Sequence, residues 1–532
     1  MKRCVLFVLA LALVAASCIA GDPQALAADS HALVQGSGSG WSANAVNQWI
    51  ADVQPKGLQV VFTASGSAQG RKDFGYRTND FAVSEIGYRG TDPLTGESDT
   101  PQGREFAYLP IVSGGTAFPY QVKVKGELVR NLRLSGETLT KIFTNRITDW
   151  SDPAITADNN GRELPSLPVI PVVHSEGSGT TAHLTDYFDK QYPDLWRSFA
   201  GHAGFTEYYP RKGDAVAQSG SDGVMNFVAS AAANGAIGYD EYSYALGKNY
   251  PVVKLENAAG FFSLPSQFNV AVSLTKALIN RDKSSPDYLL QDLSEVYTFN
   301  DPRVYPISSY SYFVLPTGAD DSKMTTAKRQ TLADFLYYGI CDGQKEMGPI
   351  GYSPLPVNLV TAGFEQVAKL READPNVDLT SRDVSTCHNP TFIAGQPNRN
   401  YLAEVAPQPP ACDQRGQGPC IDGKAAAARA GAATNASGTS GSSAVTARGR
   451  TAGAAGGVIA DGVAADGSSS AVGTDGSIQL LNEQAIDAPR AVRPYRPGLA
   501  AALAPLAIAL VLAIVAAPTL ATRFVARRRV AS

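Results

Sequence analysis

Three short segments place hydroxyls and glycines where a helix would begin, an arrangement that captures anions. They are Gly36-Ser37-Gly38-Ser39-Gly40-Trp41, Ser65-Gly66-Ser67-Ala68-Gln69-Gly70 and His174-Ser175-Glu176-Gly177-Ser178-Gly179-Thr180. The second follows the apolar run LQVVFT and the third follows LPVIPVV, so they read as strand, tight turn and helix start. Backbone N–H groups at a helix start are unpaired and lie at the positive end of the helix dipole. Glycine lets the backbone approach an anion closely. Singly, each turn is an ordinary N-cap. Together they predict an anion site assembled from several helix ends.

The chemistry expected is binding rather than catalysis, with no cofactor and no metal. Only five histidines occur, and no HExxH or GxSxG element is present. His174, Glu176 and His183 could be imagined as metal ligands, but their spacing fits no common site. The segment GPCIDGKA approaches a phosphate-binding loop, yet Ala425 stands where the metal-binding hydroxyl belongs and no strand precedes it.

The elements that must position these turns are of mixed α/β type over residues 28–396. Strand-like runs fall at 58–63, 169–173 and 304–315, and helix-like segments at 42–52, 138–144, 180–188 and 327–338. Such alternation predicts a sheet covered by helices on both faces. After about residue 401 the chain turns Pro-rich and then Ala/Gly/Ser/Thr-rich through roughly residue 476. That composition cannot bury enough apolar surface to offset chain entropy, so 397–498 is expected to be a flexible stalk. Asn435-Ala436-Ser437, a glycosylation pattern, is read as chance in so Ala- and Ser-rich a stretch.

The ends of the 532-residue chain speak of export. Lys2 and Arg3 precede an apolar run, and Ala25-Leu26-Ala27 follows as a cleavage signal, so 1–27 reads as a signal peptide. A rival reading makes Cys18 a lipidated cysteine, although Ala15 stands where leucine is usual. Residues 499–522 carry no charge and precede Arg523, Arg527, Arg528 and Arg529. A helix of that length spans about 36 Å, enough for a hydrocarbon core of roughly 30 Å. This predicts a single transmembrane helix with residues 523–532 in the cytoplasm, leaving the rest on the extracellular face of the membrane. The net charge of −4 offers no footprint for nucleic acid. Outside the signal segment, Cys341, Cys387, Cys412 and Cys420 form an even set suited to disulfides. Chain order suggests Cys341–Cys387 and Cys412–Cys420, while three pairings remain open.

From about residue 33 to 370 the chain resembles the phosphate-binding component of bacterial phosphate ABC transporters, the PstS type. The stretches that carry the likeness are GSGSGW, GSAQGRKDF, NDFAVSE, YLPIVSGG, LTKIFTNRITDWSDPAI, EGSGT, SDGVMNFV and NGAIGYDEYSYA, in the family's order. The resemblance implies a two-lobed periplasmic-binding-protein-like fold with a two-strand hinge and the ligand buried between the lobes. Lobe 1 is expected over about 28–113 and 265–396 and lobe 2 over about 114–264, with crossings near 112–115 and 255–267. Carried over residue by residue, the resemblance implies ligand contacts at Ser39, Gly40, Ser67, Glu85, His174, Ser178, Gly179 and Thr180. It also implies inorganic phosphate as ligand and an ABC permease as partner; a monomer is expected.

Several of these positions depart from the family. Gly40 replaces a hydroxyl donor, so Ser39 and backbone N–H groups must supply the contact. Glu85 replaces Asp. His174 replaces an arginine, and with an ordinary pKa of about 6.5 it would be mostly neutral at pH 7. Glu176, at the position of the acid that pairs with that arginine, is retained. Arg71 and Lys72, in the first turn of the following helix, are the candidates to restore the missing charge. A lone carboxylate among donors has its own logic: it repels a fully deprotonated anion such as sulfate and accepts a hydrogen bond from a protonated one. The alternatives are another oxyanion or a phosphorylated metabolite as ligand, or a surface interaction protein whose pocket has decayed.

Overall fold

The structure is a computed structural model that describes residues 30–91, 95–96 and 98–420. The signal segment 1–27 with Cys18, the stalk beyond 420, the helix expected at 499–522 and the tail 523–532 lie outside the described residues. No helix among the described residues is long and apolar enough to cross a membrane.

Apolar periodicity is realised where it is strongest. In chain order the large lobe begins with β1 (Val34–Gly38), α1 (Ala43–Val53), β2 (Val60–Thr63), α2 (Ser67–Gly75), β3 (Phe81–Ser84) and β4 (Phe106–Ala117). Helix α1 buries Ala45, Val46, Trp49 and Val53, one face at helical spacing. The small lobe follows with β5 (Arg133–Leu134), β6 (Ile170–His174), α3 (Gly179–Gln191), β7 (Val216–Gln218), α4 (Gly220–Val228) and β8 (Ala236–Gly238). Then come β9 (Asp240–Glu241), β10 (Lys254–Glu256), β11 (Phe262–Ser263), α5 (Gln267–Ser273), β12 (Ser308–Pro316), α6 (Thr326–Ile340), α7 (Val357–Ala373) and α8 (Tyr401–Val405).

The large sheet has the order β9-β4-β12-β3-β1-β2, parallel where β1 meets β2 and β3 and antiparallel around β12. Every residue of β12 is buried, as expected of a central strand. Its register against β4 slips by one residue: Ser311 faces Val112 while Tyr312 faces Pro110. Pro110 lacks an N–H, and a bulge is where a central strand accommodates it. The small sheet, β7-β6-β8, is parallel.

Strand β4 pairs with β12 as far as Gly115 and then with β9 at Thr116 and Ala117. The chain therefore meets the large sheet again at Asp240–Glu241, ahead of the 255–267 segment where a crossing was expected. Two acidic residues carry no strand pattern, so this pairing was invisible in the sequence.

The folded body runs on to Cys420, past the expected boundary at 396. Ala403 of helix α8 and Ala406 just beyond it pack against Val272 and Val304 of the large lobe. Asp413 pairs with Lys254 at 2.6 Å, and Arg133 donates to the Cys412 carbonyl at 3.1 Å. Asn131 donates to the Cys420 carbonyl at 2.7 Å. Specific ion pairs and a disulfide order a stretch that its composition could not. The disulfides are Cys341–Cys387 and Cys412–Cys420.

Candidate ligand-binding site

Each Gly/Ser turn leads into a helix, and the turns meet. After β1, Ser39 N donates to the Val83 carbonyl at 2.8 Å, and Ser39 Oγ accepts from Ser42 N at 3.2 Å. The second turn passes through Gly66 with φ of 93°, a left-handed conformation that disfavours any side chain. A Cβ on Gly66 would also stand 2.7 Å from Glu176 Cγ of the small lobe. The third turn opens α3, where Ser178 Oγ caps Thr181 N at 3.4 Å. Across the cleft, Gly179 N donates to Ser67 Oγ at 3.1 Å and Ala68 N donates to the Gly177 carbonyl at 3.1 Å. Thr180 is buried in the same helix start.

Glu85, one residue beyond β3, lies at the centre of this convergence and is 1% exposed. Its carboxylate accepts from Ser67 Oγ at 2.8 Å and from Ser311 Oγ at 2.9 Å. Burial raises its pKa, opposed by hydrogen bonds from Ser39, Ser67 and Ser311. A Cβ on Gly179 would fall 2.1 Å from Glu85 Oε2, so only glycine lets α3 approach the carboxylate so closely. Ser39, Ser67, Glu85, Ser178, Gly179 and Thr180 are thus brought together. Two neighbours were missed in the sequence: Ser311, and Ser42, whose Oγ is 3.0 Å from Ser311 Oγ. Ser311 is one of three serines in β12, with Ser308 and Ser309, so nothing local singled it out.

His174 ends β6, with Nδ1 2.8 Å from Glu176 Oε1. Glu176 Oε2 in turn accepts from Gly220 N at 3.1 Å. His174 Nε2 is buried and has no hydrogen-bond partner. Burial works to lower the pKa of His174, but the hydrogen bond and charge of Glu176 outweigh it and the net shift is upward. The retained carboxylate thus makes the ring a stronger base than the ordinary histidine expected from the sequence. The buried His183, by contrast, is pushed down to about 4 by burial.

Neither residue suggested as a substitute charge takes that part. Lys72 is exposed. The Arg71 guanidinium is fully buried and bonds Glu207 at 2.6 Å, Asp99 at 3.0 Å and Ser84 Oγ at 2.8 Å. Burial opposes its charge, and Glu207 and Asp99 more than offset that. Because Arg71 stands on α2 and Glu207 belongs to the small lobe, the pair is a buried tie across the cleft.

The profile of the PBP superfamily domain matches residues 23–342. Phosphate-binding protein PstS of Xylella fastidiosa is 30% identical over 329 residues, covering 62% of this chain and 82% of that protein. Phosphate-binding protein PstS 2 of Mycobacterium tuberculosis is 30% identical over 327 residues, covering 60% of this chain and 82% of that protein. Among solved structures, a high-affinity periplasmic phosphate-binding protein bound with phosphate gives a TM-score of 0.47 at 19% identity. That match covers 73% of this chain and 99% of the other. By the extent of the profile match and the coverage of these relatives, the chain belongs to the PBP superfamily and, within it, to the PstS family of phosphate-binding proteins.

Proposed function

We propose that the protein is an extracellular phosphate receptor that closes its lobes over inorganic phosphate and hands it to an ABC importer. The observation that carries this reading is the buried Glu85 carboxylate, ringed by hydroxyls and reached by helix ends from both lobes. Ser39, Ser67, Ser178 and Thr180 donate hydrogen bonds, and Gly40 and Gly179 offer backbone N–H groups. Glu85 accepts the ligand's proton, which sulfate lacks. His174, whose pKa is raised by the neighbouring Glu176, supplies positive charge when protonated. The relatives' name, phosphate-binding protein, agrees with this chemistry.

Calorimetric titration of the purified protein with phosphate, sulfate, arsenate and phosphate esters tests the reading. Phosphate should bind with heat and raise the melting temperature; the absence of both effects would end the proposal. A phosphorylated metabolite is the second reading, favoured by one feature. A cavity of about 380 Å³ adjoins Glu85, lined among others by His183, Phe205 and Leu290. Tighter binding of an ester than of inorganic phosphate would select it.

The apolar segments at 1–27 and 499–522 support export and a C-terminal tether, with the receptor monomeric on the outer face of the membrane. N-terminal sequencing of the mature protein, membrane fractionation and light scattering test these points in turn.

A further inference from the structure

One buried hydroxyl beside the candidate site has no task in the account so far. Ser221 is the second residue of α4, in the small lobe, and is 2% exposed. Its Oγ makes no hydrogen bond of full geometry, and its nearest polar neighbours, close enough for loose hydrogen bonds, are the Asp240 carboxyl and the Tyr244 hydroxyl. Buried hydroxyls are nearly always paired, so an orphan calls for a partner.

The position of this hydroxyl indicates what that partner is. A Cβ placed on Gly40 would stand 3.1 Å from Ser221 Oγ and 3.4 Å from Ser221 N. The hydroxyl therefore occupies the space above Gly40 that a side chain would fill, facing the first anion-binding turn from across the cleft. The neighbouring contacts converge on the same place. Glu176 bonds Gly220 N at the start of α4 and His174 at the end of β6. His174 Nε2 is a second buried atom without a partner.

We propose that Ser221 is a ligand-binding residue whose hydroxyl donates to the oxyanion held at Gly40. The start of α4 then joins the three helix ends marked by the Gly/Ser turns. This rests on the phosphate-binding reading above and deepens it. The donor missing from the large lobe at Gly40 is delivered by the small lobe instead, so the contact forms only as the lobes come together. Ser221 would thereby link affinity to closure.

The test is phosphate titration of the detergent-purified full chain, wild type against Ser221→Ala, with the melting temperature of each measured without phosphate. Ser221→Ala should weaken phosphate binding by about tenfold, the scale of one hydrogen bond to a charged group, and leave the unliganded melting temperature unchanged. Unchanged affinity would overturn the proposal while leaving phosphate binding intact. A lowered unliganded melting temperature accompanying the loss would also overturn it, assigning Ser221 a structural role. Absence of phosphate binding by the wild type would instead remove the underlying reading, and this inference with it.

Discussion

Replacing Glu85 with Gln isolates charge from shape. The amide keeps the size of the carboxylate. Ser67 and Ser311 donate to different carboxylate oxygens at 2.8 and 2.9 Å, so the amide oxygen still accepts from one of them while its NH2 group donates to the hydroxyl of the other. For sulfate, a carboxylate about 4 Å away costs about 4 kcal/mol per unit charge at an effective dielectric near 20. Counting only one unit of the ligand's charge, removing it should strengthen sulfate binding by at least about two to three orders of magnitude. For phosphate, the ligand's proton exchanges a charged acceptor for a neutral one of about half the strength, a loss of about tenfold. Discrimination, the ratio of the two affinities, should therefore shrink by at least about three to four orders of magnitude. The assay is titration of both proteins with both anions at one ionic strength. Melting curves of the unliganded proteins serve as the control. Because burial raises the Glu85 pKa above its ordinary 4.5, its contribution to stability is fully present below that value. It is lost as pH rises through the folded pKa. Gln removes that loss, so the variant should melt no lower than wild type at neutral pH. A Glu85→Gln protein that keeps the wild-type preference for phosphate would refute the reasoning.

Three further outcomes are expected. The folded pKa of His174 lies above 6.5 because Glu176 outweighs burial, so the imidazolium is lost as pH rises through that raised value. Phosphate affinity should fall over that window, and His174→Asn should flatten the profile measured by titration across pH. Arg71→Met leaves the buried Glu207 and the partly buried Asp99 without their cation, and urea unfolding should show a loss of about 3–5 kcal/mol. The Cys341–Cys387 bridge closes a span of 46 residues. Replacing both cysteines with Ala should lower stability by about 4 kcal/mol in the same assay.

The parts of the site that were legible in the sequence are those fixed by local chain geometry. A strand followed by Gly, Ser and a helix start announces unpaired N–H groups wherever it occurs, and this marked Ser39, Ser67, Ser178, Gly179 and Thr180. What required the fold is partnership over long sequence separations. Ser311 sits in a strand that reads as buried core, and nothing local says that its hydroxyl meets Glu85, 226 residues away. Arg71 looked like a free cation because Glu207, 136 residues on, is brought to it only when the lobes are packed. His174 was read with the pKa of an isolated histidine; the upward shift comes from Glu176, whose own position is fixed by the start of α4. Similarly, average composition over 397–498 hid the fact that Leu402 and Asp413 each have a buried place to go.

That ordered C-terminal segment has a mechanical consequence. Helix α8 grips the large lobe, while Cys412, Asp413 and Cys420 grip the small one. Between Ala406 and Cys412 the backbone can stretch to at most about 20 Å. While both ends hold, this short stretch limits how far the two lobes can part. Severing it would leave the grip on the ligand intact but let the cleft gape wider, and with a longer return journey capture would slow.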